Sequence, residues 1–184
     1  KMKTTTDKMQ WLIDKYNNGT IEYLINDTKE NKGTIVAPTG FGKSGVMSAD
    51  SIWHINNIND DEKIVLHFAT PILKLGVQFM DDLISVITEI FKEKCYNGEF
   101  MFFINSSDDG RNYKLDGLNA DTNRFEYDIE KFEKSATAKY ALVISCFDSI
   151  YKFANKMDDL KSFAKVATYI DEAHLIVNES KSES

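Results

Sequence analysis

The chain has 184 residues, 42% hydrophobic and 28% charged, with 9 Gly and 2 Pro; this is the make-up of a globular protein the size of one domain and excludes a disordered or fibrous chain. A formal net charge of −7 argues against a protein that coats nucleic acid through a broad positive field, while leaving room for a local groove of backbone amides, hydroxyls and helix N-termini. No apolar run approaches the roughly 20 residues needed to cross a bilayer, and Cys95 and Cys146 lie far apart without a CxxC or a histidine cluster. The expectation is a soluble cytoplasmic protein with reduced thiols, no zinc site and no membrane partner.

In chain order, Met9, Leu12, Ile13 and Tyr16 recur at helical spacing over residues 5–17, and Ile21, Leu24 and Ile25 mark a second short helix over 20–29. The apolar run 33–37 predicts a strand that ends in a Pro-Gly loop, followed by a helix from Lys43 to about residue 55. The alternation then repeats: strand 63–69, one long helix 72–94, strand 100–104, a polar stretch 105–121 rich in Ser, Asp, Gly and Asn, helix 123–134, strand 141–145, helix 149–164 and strand 165–170. Strands alternating with helices in this way predict an α/β fold, a parallel sheet with helices on both faces behind a short helical N-terminal extension, because parallel neighbours need crossover connections.

Two segments carry chemistry. Ala37-Pro38-Thr39-Gly40-Phe41-Gly42-Lys43-Ser44 fits a phosphate-binding loop with Ala in place of the usual first Gly. Gly40 and Gly42 allow the tight turn that aims backbone N–H groups, with those of Thr39 and Phe41, at phosphate oxygens, and the following helix adds its positive dipole end. Lys43 would reach the β and γ phosphates as a point charge, and the Ser44 hydroxyl would sit on Mg²⁺. The second segment, Ala167-Thr168-Tyr169-Ile170-Asp171-Glu172-Ala173-His174, is an apolar strand ending in two carboxylates. In a doubly wound sheet such a strand end lines the ligand crevice, so Asp171 would hold Mg²⁺ and Glu172 would orient and deprotonate an attacking water.

With AxTGxGKS as motif I and DEAH as motif II, the sequence resembles the first RecA-like motor domain of superfamily 2 helicases and translocases. APTGFGKS and YIDEAH are most similar to the type III restriction and DNA-repair group, although DEAH-box RNA helicases share the four letters. The resemblance implies a P-loop RecA-like fold, ATP and Mg²⁺ as cofactors, and a nucleic-acid partner, DNA in preference to RNA. Gln10 stands about as far upstream of the loop as the family's adenine-clamping glutamine; an exposed helix-end glutamine is the other reading. His67-Phe68-Ala69-Thr70-Pro71 resembles motif Ia, with Thr70 as the contact to the strand backbone, and the same letters also describe a helix cap with Pro at the first helical position. Ser145-Cys146-Phe147-Asp148-Ser149 resembles motif Ib, with Ser145 the second nucleic-acid contact and Cys146 where relatives carry Thr. The resemblance gives His174 the role of coupling the nucleotide site to the motifs that sense nucleic acid. His54 and His67 have no comparable context, and Trp11 and Trp53 are expected in the core.

The chain ends shortly after DEAH, ahead of the family's Ser-Ala-Thr motif and second RecA-like domain. The expectation is therefore one RecA-like domain over 1–184, with an incomplete active site whose arginine finger comes from the second domain. Arg111 and Arg124, in or near the polar insertion, are poor candidates for that role. A nucleotide-binding switch without strand movement is the alternative reading.

Overall fold

In the computed structural model, which describes residues 5–19, 42–106, 115 and 122–175, α1 spans Thr5–Asn17, α2 Lys43–Asn57, β1 Ile64–Thr70, α3 Leu73–Ile90, α4 Lys92–Tyr96, β2 Phe100–Asn105, β3 Thr122–Arg124 and α5 Phe125–Lys134. β4 follows over Tyr140–Cys146, then a 3-10 turn Phe147–Ser149, α6 Ile150–Ala154, α7 Met157–Phe163 and β5 Lys165–Ile170. All strand pairings are parallel and the sheet order is β3-β2-β4-β1-β5. The expected second helix, the first strand and the loop through Phe41 lie outside the described residues, as does most of the polar insertion.

β1 and β4 are buried at every position, which is why they read as unbroken apolar runs: a central parallel strand is covered on both faces. Alternation divides their side chains between two cores. Ile64, Leu66 and Phe68 of β1, with Leu142 and Ile144 of β4, face α1, α2 and α3, meeting Leu12, Ile52, Ile55, Met80 and Leu83. Val65, Ala141 and Val143 point the other way, against Phe125 and Phe132 of α5, Phe153 of α6 and Leu160 of α7. Helices therefore cover both faces, as the alternation predicts, and the architecture is the RecA-like P-loop α/β fold. Among the described residues no helix is long and apolar enough to cross a membrane.

Three local expectations changed. The helix foreseen over 72–94 breaks at Phe91, whose backbone leaves helical geometry (φ −114°, ψ 42°) while its buried ring packs edge-on against Tyr16 of α1 at 5.6 Å. That long-range aromatic contact has no local signature. Residues 122–124, foreseen partly as helix, instead pair with Phe102–Ile104 of β2. The helix foreseen over 149–164 is two, separated by a turn at Asn155 and Lys156.

Two close approaches hold the layers in register. A Cβ on Gly76 would lie 2.9 Å from Thr70 Oγ1, so the absence of a side chain lets the first turn of α3 rest on the end of β1. Lys63, just before β1, donates to the carbonyls of Phe132 (2.5 Å), Glu133 (3.1 Å) and Ser135 (2.7 Å), capping the C-terminal end of α5, where carbonyls lack helical partners and a cation is favoured.

Candidate nucleotide site

Because every strand runs the same way, the ends at Thr70, Asn105, Cys146 and Ile170 share one edge of the sheet, the edge where ligands of open α/β folds bind. Gly42 occupies a left-handed conformation (φ 98°) at the head of α2, a geometry that glycine adopts at no steric cost. Among the described residues no side chain caps that end, and no acidic residue occupies its first turn. The terminus thus keeps its positive end available for an anion. Ser44 is exposed in this first turn.

At the end of β5, the Asp171 amide donates to the Ala69 carbonyl at 2.9 Å, so the ladder with β1 runs one residue past the strand and sets the height of the acidic pair. Glu172 then turns with φ 52°, the one left-handed non-glycine among the described residues, a conformation that L side chains tolerate only when their surroundings hold it. Here both carboxylate oxygens are held. Lys43 Nζ donates to Oε1 at 3.0 Å, and His174 Nδ1 lies 3.3 Å from Oε2. The hydrogen bond and charge of Lys43, aided by the charge of His174, keep the Glu172 carboxyl below its ordinary range. The carboxylate of Asp171, adjacent, makes no hydrogen bond or ion pair among the described residues, so its oxygens are available to a ligand.

The head of α2 and the end of β5 thus meet, 129 residues apart in the chain, as the two motifs require. The model of one protein family, described as the type III restriction enzyme res subunit, matches residues 3–183. The chain belongs to this family. No curated protein and no solved structure gives a match. The res-subunit family is one of helicase-type ATPases, so this chain is a nucleotide-binding domain of that kind, and ATP, Mg²⁺ and nucleic acid are the ligands such domains use.

Other expected site residues of this res-subunit domain are placed differently. Gln10 is exposed and its amide donates to Asp14 of the same helix at 2.9 Å, the helix-surface reading. Thr39, Gly40 and Phe41 lie outside the described residues. Thr70 is buried, and its hydroxyl donates to the Ile72 carbonyl at 2.9 Å. It neither faces solvent nor caps α3, whose first residue is Leu73. Ser145 is fully buried inside β4, and its hydroxyl lies 2.7 Å from His67 Nε2 and 3.0 Å from Asn105 Nδ2. Neither hydroxyl is therefore presented to a strand. Any contact from these segments falls to exposed neighbours or to backbone. Trp11 is 39% exposed rather than in the core.

His67, which the sequence left without a role, anchors this buried network. Asn105 donates to the Ser145 hydroxyl, which in turn is paired with Nε2 of the imidazole, while Nδ1 is buried without a hydrogen-bond partner among the described residues. Its ring stacks on Phe153 at 3.7 Å, and burial pushes its pKa down to about 3. Ser149 extends the network by donating to the Asn105 carbonyl at 2.7 Å, so β1, β2 and β4 are tied together just beneath the ligand edge. Asp50 of α2 was also missed, although it lies seven residues after Lys43, two helical turns along the same stripe.

Proposed function

We propose that Gly42, Lys43 and Ser44 at the head of α2, together with Asp171 and Glu172 after β5, form the catalytic half of an ATP site that drives movement along nucleic acid, DNA in preference to RNA. The observation that carries this reading is the 3.0 Å contact between Lys43 and Glu172, which joins the phosphate-binding helix to the acidic strand end. The amides at the head of α2 hold the phosphates, and Lys43 exchanges Glu172 for the β and γ oxygens. Losing its cation raises the proton affinity of Glu172 at the moment it must accept a proton from water. Water oxygen then bonds to the γ phosphorus as the bond to the ADP oxygen breaks, and the proton moves to Glu172.

The donors fit magnesium. The Asp171 carboxylate, without a partner among the described residues, and the exposed Ser44 hydroxyl are hard oxygen ligands, and Mg²⁺ takes only one or two protein oxygens beside phosphate and water. Ser44 and Asp171 would hold it, and when bound with the triphosphate it neutralises charge on the β and γ oxygens. The third cation of the reaction, an arginine finger worth about 10³ to 10⁵ in rate in well-studied nucleotide hydrolases, is assigned to a second RecA-like domain. Supporting this, the Arg124 guanidinium is already engaged by the Ser106 carbonyl at 3.3 Å. His174, paired with Glu172, is the residue through which bound nucleic acid would be felt.

ATP hydrolysis by the intact protein should rise with single- or double-stranded DNA more than with RNA, and Lys43→Ala should abolish the rise. Nucleotide turnover that is indifferent both to nucleic acid and to Lys43→Ala would refute the reading and leave the switch.

A further inference from the structure

Lys43 and Asp50 occupy one stripe of α2, and both reach the last strand. Lys43 meets Glu172, while the Tyr169 hydroxyl donates to Asp50 Oδ2 at 2.5 Å. Alternation puts Tyr169 on the same face of β5 as Asp171, two residues on, since the ladder continues through the Asp171 amide. The bond to Asp50 is anchored at both ends. The Tyr169 ring stacks on Phe68 of β1, 5.0 Å between centroids and 12° from parallel, and His54 Nε2, one turn further along α2, lies 3.5 Å from the same Asp50 oxygen.

The protonation states suit the tie. Burial pushes the Asp50 carboxyl up, but the hydrogen bonds from His54 and Tyr169 outweigh it and hold the group below its ordinary range. The Tyr169 phenol is the donor and the Asp50 carboxylate the acceptor. A charge-assisted bond of this length is about twice as strong as a neutral one. Lys43 must leave Glu172 to meet a phosphate, whereas the Tyr169–Asp50 bond, two turns away, uses neither of those side chains.

We infer that the Tyr169–Asp50 bond is the strut that fixes the height and rotation of α2 against β5, making these two the positioning residues for Ser44 and Asp171 as joint magnesium ligands. The inference rests on the nucleotide site proposed above. It assigns specific side chains to a job that backbone pairing does not perform, since among the described residues no backbone hydrogen bond joins α2 to β5.

The test is a magnesium titration of the binding of a fluorescent, non-hydrolysable ATP analogue to the full chain. Tyr169→Phe keeps the ring and its stacking on Phe68 but removes the donor. Its affinity in the presence of chelator should match the parent, while the magnesium midpoint rises about tenfold, the usual coupling within one hydrogen-bonded network. Asp50→Asn retains an acceptor oxygen for the phenol and should shift the midpoint less. A midpoint unchanged in Tyr169→Phe, even with a lowered melting temperature, would mean that the strut serves stability alone and would overturn the inference. Lys43→Ala distinguishes the deeper failure: if it binds the analogue as tightly as the parent, the nucleotide site itself is wrong and the inference falls with it.

Discussion

Replacing His67 with Leu should make the protein less sensitive to acid. Burial holds the imidazole neutral down to about pH 3, against an ordinary value of 6.5, so between those limits the unfolded chain binds a proton that the native chain refuses. The sign follows directly: with more protons on the unfolded state, native stability falls as pH falls from 6.5 towards 3, by about 1.4 kcal/mol per unit once well below the upper limit. From about pH 7.5 to about pH 5, this one group removes about 2 kcal/mol. The figure is insensitive to the native value, because at pH 5 any native pKa below about 4 leaves the folded imidazole almost fully neutral.

Urea unfolding of parent and His67→Leu at the two pH values measures this directly. At neutral pH the variant should be weaker by about 1–3 kcal/mol, since the Ser145 hydroxyl loses its imidazole partner in a buried place. At the lower pH that deficit should shrink by about 2 kcal/mol, since Leu has nothing to titrate. Deficits equal at both values would show that His67 takes up its proton inside the fold, and the description of the imidazole as buried and neutral would be wrong.

Lys63→Met removes an ammonium that donates to three carbonyls at the end of α5; unfolding in urea should show a loss of about 2–3 kcal/mol, and a loss below about 0.5 kcal/mol would mean that water replaces the cap. Gly76→Ala brings a methyl to 2.9 Å from Thr70 Oγ1 and should cost about 1–3 kcal/mol. Adding Thr70→Ala, which deletes the obstructing atom, should recover most of that cost in a double-mutant cycle; additive losses would place the strain elsewhere.

What the sequence by itself determined was local or periodic. The apolar runs at 64–70 and 140–146 could only be covered strands, and Met80, Leu83, Ile84 and Ile87 repeat at the helical period on the buried side of α3. The loop ending Gly42-Lys43-Ser44 and the pair Asp171-Glu172 were legible because their chemistry demands particular residue types at short spacing. The tertiary structure decided everything that depends on partners distant in the chain. It brought Lys43 to Glu172, turned the Ser145 hydroxyl away from the ligand edge and into contact with His67, broke a helix at Phe91 to reach Tyr16, and joined Asp50 to Tyr169. Period and propensity specify which face of an element is apolar, whereas the partner across the layer depends on how elements stack, a property of the whole sheet that no stretch of neighbouring residues encodes.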